Sequence, residues 1–296
     1  WSTRRSFTCV AGGISPTSGC SCGHTGAMSD LGLLSSTRHL EVFAEAGHRL
    51  AALSPDQLDL PVPAVEGWTV QDVVRHTGRV HRRVAAYLAA PLDADPGEVA
   101  RSADALSPGP ACLSEYAEAH GTLLGALAGL DLDAPVATFL GPRPGAFWVR
   151  RQAQEVSVHV VDATDALAAA GGPPSPPHAP DVAIDGVDEW LRFFLATLWQ
   201  RRAGRLPESF DGRTLHLHGT DPAVAGPSGE PLDAEWLLTF ADGAVTVETG
   251  HAKGDVAVRG SAADLLLVLW RRRPLETVDV VGDRAVVEQL VDLVRI

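Results

Sequence analysis

From Thr37 onward, apolar residues return every three or four positions. Leu40, Phe43, Ala44, Gly47, Leu50 and Leu53 share one face of a predicted helix that Pro55 stops. A second helix is expected after Trp68, with Thr69 at its N-cap and a stripe of Val70, Val73, Val74, Thr77, Val80, Val84 and Leu88. Leu113, Tyr116, Ala117, His120, Leu123, Leu124 and Leu127 mark a third, and Val149, Ala153, Val156, Val160, Ala163 and Leu167 a fourth. Four amphipathic helices without a convincing strand among them predict a four-helix bundle, with long connections at 89–110 and 130–146 acting as crossovers.

The pattern then changes. Gly171-Gly172-Pro173-Pro174-Ser175-Pro176-Pro177 is the clearest linker in the chain. A fifth helix is predicted over about Val182 to Arg201, burying Ile184, Val187, Trp190, Leu191, Phe194, Leu195 and Leu198. Beyond Gly212 the period becomes two. Thr214–His218 reads as a strand, Trp236–Phe240 and Ala244–Glu248 as a hairpin about Asp242-Gly243, and Asp255–Arg259 as another strand. Helix, strand and helix follow at about 261–271, 277–281 and 284–294. The expected fold class is multidomain, α and α+β: a helical bundle over 30–170, a Pro/Gly linker over 171–180 and a small α+β domain over 181–296.

Composition narrows the function classes. The chain has 296 residues, and 24 Lys and Arg stand against 37 Asp and Glu for a formal net charge of −13, which argues against a nucleic-acid partner. No apolar run approaches the ~20 residues that span a bilayer, so no membrane partner is expected. Four cysteines in so long a chain do not make a disulfide framework, and a soluble, cytoplasmic protein is expected. Lys253 is the only lysine and Met28 the only methionine, a usage typical of a high-GC, actinobacterial-type genome. Oligomeric state is silent.

Residues 1–27 differ from the rest. They contain no acidic residue, hold Cys9, Cys20 and Cys22, and show no apolar periodicity. Arg4-Arg5 precedes an apolar stretch that Gly12 and Gly13 break, too short for a targeting signal. Cys20-Ser-Cys22-Gly-His24 does not have a zinc spacing. With Met28 as a natural start, 1–27 reads as a disordered upstream extension.

Candidate chemistry gathers on the fourth helix. Glu155 and His159 are one turn apart on the same face, and Asp162 continues the stripe, with Gln152 and Trp148 behind it. This stripe lies about 100° from the apolar seam, at the edge of the core, where bundles build metal sites from facing helices. A carboxylate and an imidazole at i, i+4 can share one cation, although a solvated or salt-bridged face is the commoner outcome. A third ligand must come from another helix. His76 is the candidate and His120 its rival, while His39, His48 and His81 read as surface residues. Cys112 reads as a small core residue. Arg75, Arg79, Arg150, Arg151, Arg271, Arg272 and Arg273 supply local positive charge for an anionic substrate, each more simply read as a solvated or helix-terminal charge.

Four pieces resemble a known family. Gly67-Trp68-Thr69-Val70-Gln71-Asp72-Val73-Val74-Arg75-His76, Glu155-x-x-x-His159-x-x-Asp162, Trp236-Leu237 and the run from His251 to Leu266 are similar to those of the mycothiol-dependent maleylpyruvate isomerases. The resemblance covers nearly everything after Met28. It implies a DinB-like metal-binding bundle followed by the family's α+β domain. It also implies Zn2+, or another divalent metal, on His76, Glu155 and His159, with Asp162 behind them, and removes the claim of His120. Mycothiol is the implied thiol cofactor, and the implied substrate is a small electrophile or unsaturated carboxylate. The implied chemistry is addition of a metal-stabilised thiolate to an activated double bond, rotation, and elimination, or transfer of the same thiol to an electrophile. The competing expectation is a non-catalytic metal- or ligand-binding protein that keeps the bundle. The sequence points to no individual catalytic residue beyond the metal ligands.

Overall fold

A computed structural model describes residues 32–199 and 205–294. The extension 1–27, its three cysteines and His24 lie outside the described residues. Four long helices build the first half: α1 (Ser36–Ala51), α2 (Val70–Ala89), α4 (Ala111–Ala128) and α5 (Ala146–Ala169). A short helix α3 (Pro96–Ser102) lies in the first long connection. A two-residue ladder, β1 (Pro135–Val136) with β2 (Arg143–Pro144), lies in the second. α1 packs on α4 and α5, and α2 packs on the same two helices.

The ends of these helices follow from their sequences. The Ser35 hydroxyl accepts from the Arg38 N–H at the start of α1. At the start of α2 the Asp72 carboxylate accepts from both the N–H and the hydroxyl of Thr69. The buried stripe of α2 is Val70, Val73, Val74, Thr77, His81 and Val84. That of α1 is His39, Val42, Phe43, Ala46, Gly47 and Leu50. His39 and His81 are therefore interior, contrary to their reading as surface residues. Both fall on the helical period of the buried face, and their polarity misled the assignment. His39 is accommodated by Asp185, whose carboxylate lies 2.9 Å from its Nε2. His48 is exposed as expected.

After an irregular stretch, α6 (Pro180–Glu189) begins with Pro180 in its first turn and widens from Trp190 to Trp199 into a π-helix. The sheet that follows has the order β5-β4-β3-β6-β7, from β3 (Thr214–Gly219), β4 (Glu235–Ala241), β5 (Ala244–Thr249), β6 (Val256–Gly260) and β7 (Asp279–Val281). Only β3 and β6 run parallel. The β4–β5 hairpin turns through Asp242 (φ 55°) and Gly243 (φ 74°), the positive pair that a two-residue turn of the right twist needs. Two further helices are α7 (Ala262–Leu269) and α8 (Arg284–Leu293).

Leu215, Leu217, Trp236, Leu238, Phe240, Val256 and Val258 point to one face of the sheet. They form one core with Ile184, Val187 and Trp190 of α6 and with residues of α7 and α8. A second core fills the bundle. The two meet: Val158 of α5 belongs to the sheet's core, Val182 of α6 belongs to the bundle's, and Phe193 packs against both. α5 is thus buried almost all round, including Arg150, Arg151, Gln152 and Asp162. Among the described residues, no helix is long and apolar enough to cross a membrane.

Candidate functional site

The first half of α5 carries its polar residues inward because α2 covers one side and the second half of the chain covers the other. His76 of α2 faces Glu155 and His159 of α5 across this interface. Glu155 Oε1 lies 3.2 Å from His76 Nε2 and 3.4 Å from His159 Nε2, and the two imidazole centroids are 4.7 Å apart. Ligand atoms around a tetrahedral zinc with bonds of ~2.0–2.1 Å stand about 3.3 Å apart, close to both Glu155 separations, and the three donors lie within 4.8 Å of one another. His120 lies elsewhere, against Phe43, His48, His81 and Tyr116.

On α5, the second polar atom of each donor is held from behind. Glu155 Oε2 accepts from Arg151 at 3.0 Å. His159 Nδ1 lies 2.9 Å from Asp162 Oδ2, which leaves Nε2 facing the trio. Arg272, just beyond α7, grips Asp162 with Nε on Oδ1 and a second nitrogen on Oδ2, both at 2.9 Å. Trp68 lies nearly parallel to His159, at 14° and 6.2 Å between centroids, and also touches His76. Asp162 thus stands behind the His159 imidazole, as carboxylates do behind metal-binding histidines, and takes its own guanidinium from the other half of the chain.

The electrostatics follow. Burial disfavours the Glu155 carboxylate, but hydrogen bonds to His159 and His76 and the Arg151 charge hold it well below the usual range. Burial pulls His159 down, and its bonds to Asp162 and Glu155 outweigh that, raising it to about 9. Asp162 pays the same desolvation and is still lowered, by His159 and Arg272.

A cavity of about 320 Å³ opens beside the trio, lined by His76, Glu155, Gln152, Arg83, Trp148, Phe193 and neighbouring side chains. Two of the lining residues carry a buried polar atom without a hydrogen-bond partner: Gln152 Oε1 and Arg83 Nε. A larger cavity, about 490 Å³, lies around Arg271–Arg273 and contains none of the trio. The smaller cavity has two of the three donors, His76 and Glu155, in its wall.

The basic residues singled out in the sequence have mostly internal partners. Arg150 pairs with Asp185 and Asp188, Arg151 with Glu155 and Glu189, Arg272 with Asp162, Arg273 with Asp165 and Arg271 with Asp292. Arg150 and Arg151 are buried, so neither is the solvated charge its position near a helix start suggests. Arg75 donates to the Leu106 carbonyl, and Arg79 is exposed. Arg83, which the sequence reading passed over, stands with Arg151 in the cavity wall. Its only sequence signal is its place seven residues, two turns, after His76. Cys112 is a buried free thiol, and burial pushes it up.

Sequence models place this arrangement among known proteins. The Mycothiol maleylpyruvate isomerase N-terminal domain matches residues 40–164, and the MDMPI C-terminal domain matches residues 181–289. The crystal structure of a mycothiol-dependent maleylpyruvate isomerase has a similar fold, with a TM-score of 0.50 and 15% identity over 83% of this chain and 93% of that one. A histidine mutant of a mycothiol-dependent maleylpyruvate isomerase gives 0.52 and 16% at the same coverage. No curated protein matches the sequence. With both domain models matched in order, over most of its length, the chain belongs to the mycothiol-dependent maleylpyruvate isomerase family.

Proposed function

We propose that the chain is a zinc-dependent enzyme of the maleylpyruvate isomerase type. It would use mycothiol, or a thiol of that kind, for cis–trans isomerisation or for thiol transfer to an electrophile. One observation carries the reading: ligand atoms of His76, His159 and Glu155 lie within 4.8 Å of one another, and two of the three residues, His76 and Glu155, line a cavity. His76, Glu155 and His159 would hold the metal, in a bundle domain over 30–170 that is followed by an α+β domain over 181–296. Two imidazoles and one carboxylate leave a coordination position open, as catalytic zinc sites do. The bound metal would supply a thiolate at neutral pH by stabilising its negative charge.

The chain's own residues have distinct parts in this reading. Asp162 holds the His159 tautomer that presents Nε2, and Arg272 keeps Asp162 ionised and oriented. Arg151 fixes the Glu155 carboxylate so that Oε1 faces the cavity. Arg83, with its unpartnered Nε, is the group in that wall suited to a substrate carboxylate, and Gln152 Oε1 offers an acceptor beside it. Phe193, Trp148 and Phe139 make the rest of the wall apolar and limit water. Low-molecular-weight thiols are kept reduced inside cells, which suits a cytoplasmic enzyme.

The test is metal content of untagged protein purified without chelator, for the wild type and His159→Ala. A zinc equivalent present in the wild type and lost in the variant, with thiol-dependent turnover lost alongside it, is the expected result. Zinc binding that survives His159→Ala unchanged would sink the assignment, and metal without thiol-dependent turnover would favour a non-catalytic binding protein.

A further inference from the structure

A second group of potential ligands lies on the sheet, on the face turned away from the helices. His216 and His218 are two residues apart on β3, and so share a face opposite to Leu215 and Leu217. Glu235 of β4 is the direct cross-strand partner of His218 and points the same way. His251 comes from the loop after β5. Gly250 (φ +129°) turns the chain there and donates its N–H to the Glu235 carbonyl at 3.0 Å. Gly254 then brings that loop back beside β3 so closely that a Cβ would stand 2.9 Å from the backbone nitrogen of His216. The backbone is therefore shaped to carry His251 to the two strand histidines.

The side chains meet at one atom. His216 Nε2, His218 Nδ1 and His251 Nδ1 lie 2.9, 3.0 and 2.8 Å from the same oxygen, Oε2 of Glu235. One oxygen has two lone pairs, so three ring nitrogens cannot all be satisfied by it. His216 shows the shortfall. Its side chain is only 6% exposed, and its Nε2 has no hydrogen-bond partner because its approach to Glu235 is too oblique. A buried, unpartnered imidazole nitrogen aimed at a carboxylate and two other imidazoles has a simple explanation in a cation that all four groups ligate.

We infer that His216, His218, Glu235 and His251 form a second metal site, for zinc or a similar borderline divalent cation. Three nitrogens and one carboxylate oxygen fill a tetrahedral shell, so this site is closed, unlike the three-ligand trio of the bundle. Its expected role is to fasten the 250–255 loop to β3 and β4. The inference does not depend on the function of the bundle site.

The experiment is zinc titration of the full, untagged chain by calorimetry, with Co2+ as an optical probe of coordination geometry. The His76→Ala/His159→Ala variant disables the bundle trio and should still bind one equivalent, giving the intense visible bands of tetrahedral Co2+. His251 is 79% exposed, so His251→Ala leaves packing intact. Added to that background it should weaken zinc binding at least tenfold, and His216→Ala should abolish it. If the double variant does not fold, His251→Ala alone in the wild type should remove one equivalent of zinc. A stoichiometry and affinity unchanged by His251→Ala, or no binding by a folded double variant, would overturn the inference. Loss of zinc in His159→Ala with none in His251→Ala would overturn it while leaving the bundle site standing.

Discussion

Asp162 is where residue chemistry in the bundle is most exposed to test. It lines neither of the two cavities described above, yet it fixes which nitrogen His159 presents and is itself held by two bonds from Arg272. Partners of this kind raise the basicity of a metal-bound imidazole, and their loss typically weakens metal affinity 10–100-fold. Asp162→Asn keeps the shape and removes the charge. We expect it to weaken zinc binding within that range while the fold, followed by circular dichroism, is retained; equal affinity would assign Asp162 a packing role only. The residue pattern made part of this readable. Glu155 and His159 at i, i+4 with Asp162 three further on lie on one face by helical geometry alone. Periodicity could not choose between His76, at the edge of an apolar face, and His120, within the apolar stripe of its helix, because either position can face a neighbouring helix. Nor could it find Arg83, whose significance is an unpartnered nitrogen in a cavity wall and not a spacing. The sheet cluster was hidden for a related reason. Its four residues come from three segments, and the convergence depends on strand register and on a loop turning at Gly250.

At the scale of elements, the two hydrophobic periods locate nearly every helix and strand, and the capping pair Thr69 and Asp72 marks the start of α2. Their burial was harder to read where a polar residue holds a core position. α2 and α4 bring His81 and His120 together, with Phe43 of α1 and Tyr116 of α4 against them, and all four ring nitrogens lack a partner. α1 approaches so closely that a Cβ on Gly47 would lie 2.0 Å from the His120 ring. Desolvation is the main reason that His81 falls to about 3 and His120 to about 4, with His120 and His48, respectively, adding repulsion. Both imidazoles are thus neutral in the folded state, whereas in the unfolded chain they protonate near 6.5. Below that pH the unfolded state binds more protons, so stability falls as pH drops from about 7 toward 4. Each histidine should remove about 2 kcal/mol between pH 7 and 5 by this linkage. Urea unfolding of the wild type, His81→Leu and His120→Leu at the two pH values checks it. Each variant should lose about 2 kcal/mol less than the wild type over that interval, and an identical loss would mean that water or a proton reaches these rings in the folded chain.

The whole molecule is held together across the seam between bundle and sheet by charges as well as by apolar contact. Arg150 of α5 is buried against Asp185 and Asp188 of α6, at 3.2 and 3.0 Å, and Asp185 also takes His39 of α1 and the Leu33 N–H. Burial disfavours the Asp185 carboxylate, yet the Arg150 and His39 charges drive it far below the ordinary range. Such a network stabilises little relative to a well-packed apolar replacement, but removing one partner strands the others. Arg150→Ala removes the cation that two buried carboxylates share, leaving Asp185 only His39 and Asp188 only Arg192, and should cost about 3 kcal/mol. For a chain of this size that corresponds to a fall in melting temperature of roughly 10 °C. How the loss is distributed distinguishes two views of the molecule. Val158, Val182 and Phe193 make the two cores continuous, and Arg272 ties the sheet half to Asp162, so the halves should unfold together. Scanning calorimetry of Arg150→Ala should then show one transition displaced as a whole, with calorimetric and van't Hoff enthalpies in agreement. Halves that are stable alone would instead show a displaced transition beside an undisplaced one, and the bond from Arg272 to Asp162 would then be a contact between independent units and not part of one cooperative frame for the metal trio.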